Sequence, residues 1–342
     1  MSSTSASTST SSAPTKIIIP DLVSHCTFDL RISRNHKLAQ KECKQWLFSG
    51  DQLSDAKRRA FHGLKAGKLT AMCYPEAGYP QLRVCCDFMN YLFHLDNLSD
   101  DMDIRGTQQV SDVVINSLYH PYTFYAPARL NRMTKDFYRR MLETAAPGAC
   151  QRFVETFDFF FQAVHQQASD REAGAIPDLE SYIALRRDTS GCKPCWALIE
   201  YAYNLDLPAE VMDHPVVRAL GEAANDLVTW SNDIFSYNVE QSKGDTHNMI
   251  PVVMHSHGLA LQDAVDFVGQ MCKASIDRFV ADRARLPSWG PHVDAQMQVY
   301  VQGLADWIVG SLHWSFESER YFGKTGLQVK KERVVTLLPK RV

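Results

Sequence analysis

Hydrophobic residues recur at intervals of three and four along most of this chain, which is the spacing of amphipathic helices. The pattern covers residues 35–48 and 54–65, and a helix opened by Pro215 continues beyond Trp230. Further helices are predicted at about 107–118, 127–145, 148–169, 176–187, 258–285 and 291–312. The chain shows no pair of alternating strands joined by a hairpin turn. The sequence therefore predicts an all-α fold, a single bundle of about ten or more helices around an apolar core.

The longest apolar segment, LRVCCDFMNYLFHL at residues 82–95, has no alternation and is too long for an ordinary strand. It leads directly into the acidic stretch DNLSDDMD at residues 96–103. Carboxylates at the C-terminal end of a helix oppose its dipole and repel one another. A bound cation would relieve that repulsion. For this segment alone, a solvated acidic loop that ends the helix is the simpler alternative.

A second polar segment, NDIFSYNVE, occupies residues 232–240. If the helix continues through it, Asn232, Ser236 and Glu240 stand at i, i+4 and i+8 and share one face. Their amide, hydroxyl and carboxylate oxygens are hard ligands that suit Mg²⁺. A polar helix face that binds no metal is an equally good interpretation of this segment alone.

Two further places combine arginine with other donors. LRRDTSG at residues 185–191 sets Arg186 and Arg187 beside Ser and Gly, where a helix could break and direct a guanidinium to a phosphate. A surface arginine pair is the alternative there. Near the end of the chain, Arg320 and Tyr321 could offer a guanidinium and a phenol to one anion.

The composition narrows the class of protein. Hydrophobic residues make up 45% of the chain and charged residues 22%, as in soluble globular proteins, and the net charge of −3 gives no basic surface for nucleic acid. Nine scattered cysteines, including the adjacent Cys85 and Cys86, argue against a secreted disulfide framework and for the reducing cytoplasm. The CxxC of Cys192 and Cys195 has no second pair at zinc spacing and predicts packed thiols. No segment approaches the roughly 20 apolar residues of a membrane span.

The ends of the chain differ from its middle. Residues 1–14 are rich in Ser and Thr and predict a disordered tail. Residues 15–325 form one predicted domain without an internal linker, and residues 326–342 predict a solvated basic tail.

Together, these segments resemble class I terpene cyclases, specifically the sesquiterpene synthases of mushroom-forming fungi. The family's D(D/E/N)xxD motif matches Asp96, Asn97 and Asp100, although a second carboxylate often stands where this chain has Asn97. Its NDxxSxxxE motif matches residues 232–240 in full. The resemblance spans about residues 17–325, and the wording of both motifs is most similar to the group that makes Δ6-protoilludene.

The resemblance implies a helical bundle with a central apolar cavity. It implies Mg²⁺-dependent ionisation of (2E,6E)-farnesyl diphosphate with release of diphosphate. It also implies closure to a humulyl-type cation and then to a tricyclic sesquiterpene hydrocarbon, with Δ6-protoilludene as the expected product. The implied ligands of about three Mg²⁺ ions are Asp96, Asp100, Asn232, Ser236 and Glu240. The implied diphosphate-binding residues are Arg187 or, less favoured, Arg186, with Lys243, Arg320 and Tyr321; of these, Arg187, Arg320 and Tyr321 are the expected catalytic residues. The candidates for the pocket wall are Phe88, Phe93, Trp230, Trp307 and Trp314.

Two other functions are compatible with the helical pattern. An elongating prenyl diphosphate synthase also binds diphosphate through Mg²⁺, but it would need a second aspartate-rich motif where this chain has NDIFSYNVE. A non-catalytic helical binding protein would leave both polar faces merely solvated. Protein partners are not indicated by the sequence.

Overall fold

The computed structural model of the protein describes residues 15–49, 54–99, 104–174 and 176–341. Helices account for nearly all of the regular structure in these ranges. They are α1 (His36–Phe48), α2 (Asp55–Leu64), α3 (Ala66–Cys73), α4 (Tyr79–Ser99), α5 (Ile104–Tyr119), α6 (Arg129–Leu142), α7 (Pro147–Ala173), α8 (Leu179–Thr189), α9 (Cys192–Ala202), α10 (Ala209–Met212), α11 (Pro215–Lys243), α12 (Met249–His257), α13 (Leu261–Arg283), α14 (Pro291–Glu317) and α15 (Gly326–Glu332). The all-α prediction is confirmed.

A small antiparallel sheet joins the two ends of the described chain. Strand β1 (Lys16–Ile18) pairs with β2 (Val334–Thr336), and Ile17 lies opposite Val335. Both of these side chains are buried. Strands of three residues are too short to show a recognisable alternation, so the sequence predicted neither.

The C-terminal segment is part of this fold, which corrects the prediction of a solvated basic tail over residues 326–342. Helix α15 buries Val329, and β2 buries Val335. Beyond β2, the backbone N–H of Leu338 donates to Asn238 Oδ1, and the N–H of Arg341 donates to the carbonyl of Ser242. The segment therefore lies against the end of α11. The predicted tail at residues 1–14 lies outside the described residues.

Helix α11 is the long helix on which the site is built. Pro215 stands in its first turn, and Gly244, at φ +81°, ends it in a left-handed conformation that favours glycine. Its apolar side chains, among them Leu220, Leu227 and Ile234, are fully buried. The helix packs against α8, α9, α12, α13 and α14. Several polar residues near its C-terminal end, among them Asp233 and Ser236, are therefore buried rather than exposed to solvent.

The cysteines and the helix lengths agree with the expectations from composition. All nine cysteines are free thiols, and all except Cys26 are buried. Cys192 and Cys195 stand in the first turn of α9 without a disulfide. Within the ranges given above, no helix is both long and apolar enough to cross a lipid bilayer.

Candidate active site

A cavity of about 340 Å³ opens between the ends of α4, α8 and α11 and the segment that follows α14. This volume lies in the usual range of small-molecule sites. Its lining divides into a polar and an apolar group. The polar group includes Asp96, Asn97, Arg186, Asn232, Asp233, Ser236, Glu240, Lys243, Arg320 and Tyr321, and the apolar group includes Leu69, Met89, Leu92, Phe93, Phe160, Val228, Trp307 and Trp314.

The predicted oxygen-rich face of α11 lies on this cavity. Asn232, Ser236 and Glu240 all line it, as their spacing on one helix face requires. The amide of Asn248 donates to Glu240 Oε2 at 2.8 Å and to the carbonyl of Asp233 at 2.7 Å. Asn248 Oδ1 also accepts from the backbone N–H of Ile250 at the start of α12. Asn248 could not be singled out from the sequence, because its contacts depend on the turn between two helices.

The donor set fits a hard divalent cation. Burial, and next the nearby carboxylate of Asp233, raise the pKa of Glu240 to about 7, while the Asn248 amide opposes this rise. A cation beside Glu240 would offset the cost of burying its negative charge. In the described part of the chain, no three His, Cys, Asp or Glu side chains cluster at metal-binding spacing. A cation bound here would therefore need the amide and hydroxyl oxygens of Asn232 and Ser236 as well as carboxylate.

Asp233 belongs to the same motif but has a different task. Its buried carboxylate accepts hydrogen bonds from the hydroxyl of Tyr182 at 2.6 Å and from the backbone N–H of Met249 at 3.1 Å. It also accepts from Arg186 Nη2 at 2.9 Å. Arg186 Nη2 donates to Asn232 Oδ1 as well, at 3.0 Å. Asp233 thus holds Arg186 against the oxygen-rich face.

The structure reverses the order in which the sequence ranked the two arginines. Arg186 lines the cavity, whereas Arg187 is absent from its lining. Arg187 makes a bidentate ion pair with Asp226, with Nε to Oδ1 at 2.7 Å and Nη2 to Oδ2 at 2.8 Å. Consecutive helical residues point about 100° apart, so only one of the two can face the cavity. The predicted helix break is present, because α8 ends at Thr189 and Gly191, at φ +69°, precedes α9.

The opposite side of the cavity carries the first motif. Asp96 lines the cavity at the end of α4 and is about half exposed, and its Oδ2 accepts from Arg320 Nη2 at 3.0 Å. Asn97 also lines the cavity and is exposed. Asp100 lies outside the described residues. Asp96 and Arg320 therefore pair with each other across the cavity mouth.

Tyr321 connects the two sides. Its hydroxyl accepts from Asn232 Nδ2 at 2.6 Å, and burial raises the pKa of its phenol although Arg320 lowers it. The phenol therefore stays protonated near neutral pH and can donate to an anion. Lys243 lines the cavity from the exposed end of α11.

Three of the five predicted wall residues line the cavity. Trp314 forms an edge contact with Tyr321 at 5.9 Å between ring centroids, and it lies 5.7 Å from Phe93. Trp307 is the third. The prediction is wrong for Phe88 and Trp230, which are buried but absent from the lining. Phe88 instead packs into an aromatic cluster with Phe137, Phe153 and Phe157, at centroid distances of 5.0 to 5.7 Å.

Sequence reasoning missed several lining residues. Met89, Leu92, Phe160 and Val228 face the cavity but carry no signal that separates them from core residues. Cys192 and Cys195 also line it. Both are buried free thiols, as the prediction of packed thiols requires, but the CxxC spacing gave no sign that they face a cavity.

The comparisons with known proteins agree with this geometry. The model of "Terpene synthase family 2, C-terminal metal binding" matches residues 87–278, more than half of the chain. Sesquiterpene synthase Agr1 of Cyclocybe aegerita is 70% identical over 326 residues, which are 95% of this chain and 94% of that protein. The chain belongs to the terpene synthase family. It is a sesquiterpene synthase, that is, a carbon–oxygen lyase that acts on a prenyl diphosphate. This excludes the two alternatives, an elongating prenyl diphosphate synthase and a non-catalytic helical binding protein.

More distant relatives of this terpene synthase carry the names of individual products. An alpha-muurolene synthase of Coprinopsis cinerea is 53% identical over 346 residues, covering 99% of this chain and 81% of that protein. A Delta(6)-protoilludene synthase of Stereum hirsutum is 34% identical over 328 residues, covering 95% and 88%. The crystal structure of germacradien-4-ol synthase from Streptomyces citricolor superposes with a TM-score of 0.74 at 24% identity, covering 84% and 96%. That superposition confirms the fold.

Proposed function

We propose that this terpene synthase ionises (2E,6E)-farnesyl diphosphate with the help of Mg²⁺ and cyclises the resulting allylic cation. The proposal rests on one observation, which is that hard oxygen ligands and aromatic rings line the same cavity. Asn232, Ser236 and Glu240 offer hard oxygen ligands, while Trp307 and Trp314 line the same space with aromatic rings. A charged head group and an apolar chain of one substrate would each find a suitable environment.

The metal-binding residues would be Asp96 on one side and Asn232, Ser236 and Glu240 on the other, with Asp100 as a further ligand outside the described residues. Their oxygen atoms match the preference of Mg²⁺. About three bound Mg²⁺ ions would supply the positive charge that makes diphosphate a good leaving group.

The protein's own cations would hold the departing diphosphate. Arg186, Arg320 and Lys243 line the cavity, and the Tyr321 phenol can donate a hydrogen bond. Donors that are already in place stabilise the charge that develops as the carbon–oxygen bond breaks, because they need no reorganisation at that moment. Arg186 is held by Asp233 and Asn232, so its guanidinium is already in place. Arg320 is paired with Asp96 and would turn to the anion when Asp96 binds metal.

The aromatic wall would protect and guide the carbocation. Phe93, Trp307 and Trp314 present ring surfaces whose π electrons attract positive charge. A wall of this kind also keeps water away from a cation that water would otherwise quench.

The most specific part of the proposal is the identity of the hydrocarbon product. The wording of the two motifs favoured Δ6-protoilludene, and one relative carries that name. The relative named for alpha-muurolene is considerably more similar to this chain. Both arguments rest only on similarity to relatives. The higher sequence identity therefore favours an alpha-muurolene-type product, with Δ6-protoilludene as the second candidate.

One assay tests the reaction and its product. Purified protein is incubated with farnesyl diphosphate and Mg²⁺, and the hydrocarbon is identified by gas chromatography and mass spectrometry against standards of both candidates. We expect a cyclic sesquiterpene that is lost with EDTA and restored by Mg²⁺. A longer prenyl diphosphate, formed when isopentenyl diphosphate is added, would contradict the proposal, as would turnover that EDTA does not affect.

A matched pair of variants assigns the reaction to the cavity. Asn232→Ala removes a proposed ligand, whereas Asn238→Ala removes the same side chain from the same helix where it bonds to the C-terminal segment at Thr336 and Leu338. We expect loss of turnover only in the first variant. Normal turnover by Asn232→Ala at ordinary Mg²⁺ concentrations would overturn the assignment.

A further inference from the structure

The two adjacent arginines at the end of α8 bind two different parts of α11. Arg186 lines the cavity and contacts Asn232 and Asp233. Arg187 is directed away from the cavity lining and contacts Asp226. The established family function does not explain why a second buried ion pair stands directly beside the arginine that faces the substrate space.

Helix α11 holds Arg187 at two points, because Asp226 binds its side chain and Asn225 binds its backbone. These contacts together are called the Asp226 anchor. The carboxylate of Asp226 has no solvent exposure and accepts both prongs of the guanidinium, at 2.7 and 2.8 Å. The neighbouring Asn225 donates from Nδ2 to the backbone carbonyl of Arg187 at 2.8 Å. Such two-pronged pairs fix orientation as well as distance. The last turn of α8 is thereby fixed against α11 in rotation and along the helix axis.

The position of this anchor matters because α8 ends almost immediately afterwards. Thr189 is the last residue of α8, and the backbone leaves the helix through Gly191. The end of a helix lacks part of its own hydrogen-bond ladder and frays unless other groups hold it. Arg186 stands in this last turn. Its guanidinium already bonds to Asn232 and Asp233, so the Asp226 contacts add a hold on the backbone that carries it.

The anchor and the cavity face belong to the same rigid element. Asp226 and Asn232 are six positions apart on α11, which corresponds to about 9 Å along the helix. A contact that locks α8 onto Asp226 therefore also sets the distance between Arg186 and the oxygen-rich face. A displacement of about 1 Å in a group that binds the reacting part of a substrate can reduce a rate by about 10²-fold.

We propose that Arg187 and Asp226 are positioning residues that lock the end of α8 onto α11, so that Arg186 meets the diphosphate in the correct place. This inference rests on the proposed function, in which Arg186 binds diphosphate. Neither Arg187 nor Asp226 lines the cavity.

A second ion pair in the same protein provides the control for a purely structural role. Arg152 of α7 and Glu200 of α9 form the same two-pronged arrangement through Nε and Nη2, at 2.9 and 2.5 Å. Glu200 is also buried, with 1% exposure of its side chain. Neither residue lines the cavity.

The test compares Arg187→Lys with Arg152→Lys, since lysine keeps the charge but loses the two-pronged geometry. Thermal stability, the Kd of inorganic diphosphate with Mg²⁺, and kcat with farnesyl diphosphate are measured for both. We expect both variants to lose stability. Only Arg187→Lys should weaken diphosphate binding, by about tenfold, and lower kcat by about 10- to 100-fold. Equal loss of stability with unchanged diphosphate binding in Arg187→Lys would overturn the proposal.

Two further variants leave Arg187 in place, so they can be measured even if Arg187→Lys fails to fold. They distinguish the loss of a contact between α8 and α11 from the loss of a charge beside the buried Asp226. Asn225→Ala removes only the hydrogen bond to the Arg187 carbonyl and should weaken diphosphate binding about threefold to fivefold. Arg278→Ala removes a half-exposed guanidinium of α13 that donates to the same Asp226 oxygen at 2.8 Å. It should change diphosphate binding by less than about twofold. An effect of Arg278→Ala as large as that of Asn225→Ala would contradict the proposal.

Arg186→Lys distinguishes this inference from the function on which it rests. If Arg186→Lys leaves diphosphate binding unchanged, the assignment of Arg186 fails and the positioning role fails with it. If Arg186→Lys weakens binding but Arg187→Lys and Asn225→Ala do not, only the positioning role is wrong.

Discussion

The two polar sides of the cavity are built in different ways. The α11 wall, defined here as residues 232, 233, 236 and 240 with Arg186, is buried or nearly so and is joined to α8 and α12 through several hydrogen bonds. The α4 wall, defined as Asp96 and Asn97 with Arg320, is more exposed, and its carboxylate is paired with Arg320. One wall is buried among neighbouring helices, whereas the other lies nearer to solvent and pairs Asp96 with Arg320 at the cavity mouth.

This difference separates stability from activity. Groups of the α11 wall satisfy one another in the protein interior, so removing one of them leaves a buried partner without its hydrogen bond. The ion pair of the α4 wall is partly solvated and contributes little to folding. We therefore expect damage to the α11 wall to affect both folding and turnover, and damage to the α4 wall to affect turnover alone.

The largest effect is expected for Glu240→Ala. The substitution removes the carboxylate of the α11 wall, which is the only charged ligand among its three proposed oxygen donors. Hydrocarbon formation should fall by a factor on the order of 10²–10³ or more, because a charge-stabilising group is lost at the leaving group. Turnover is measured by gas chromatography, with Glu172→Ala on the exposed surface of α7 as the control. A loss of less than about tenfold would show that the α11 wall is not the ionising site.

A somewhat smaller effect on turnover is expected for Asp96→Ala. Activity should fall by about 10²-fold, while the free energy of unfolding should change by no more than about 0.5 kcal/mol, as for other partly exposed positions. Denaturant unfolding is measured beside turnover. A large loss of stability would erase the distinction between the two walls.

The smallest effect on turnover is expected for Asn248→Ala. Asn248 does not line the cavity, but its amide supports Asp233 and Glu240. Removing it should destabilise the protein by about 1–3 kcal/mol and lower turnover by about tenfold. Raising the Mg²⁺ concentration should restore part of the activity, because the ligands are displaced but still present. Full activity with wild-type stability would show that the α11 wall does not depend on this support.

Much of the fold could be predicted because amphipathic helices leave a clear spacing in the sequence. The pattern at residues 35–48 matches α1, and the pattern at residues 54–65 matches α2. Helix α9 was missed for a physical reason: every residue in it except Lys193 is buried, so it has no polar face that could reveal a period. Strand β2 was missed because the basic residues around it resemble a solvated tail.

The sequence predicts which side chains share a face when they lie at regular spacing on one helix. It does not predict which face of a helix turns toward the cavity. Spacing alone places Asn232, Ser236 and Glu240 on one face of α11. The choice between Arg186 and Arg187 depends on how α8 is turned, which contacts with α11 determine. The same holds for Phe88 and Phe93, because α4 is buried along most of its length and its sequence does not distinguish the cavity side from the aromatic cluster.

The most direct test of the difference between the walls is a crystal structure with Mg²⁺ and inorganic diphosphate bound. We expect Mg²⁺ on Asn232, Ser236 and Glu240, with these side chains and Arg186 displaced by no more than about 1 Å. The ion pair between Asp96 and Arg320 should be separated, with Asp96 turned to metal and Arg320 turned to the anion. Mg²⁺ bound without any of the three α11 ligands, or an α11 wall that rearranges by more than about 2 Å while the Asp96–Arg320 pair stays intact, would contradict the account.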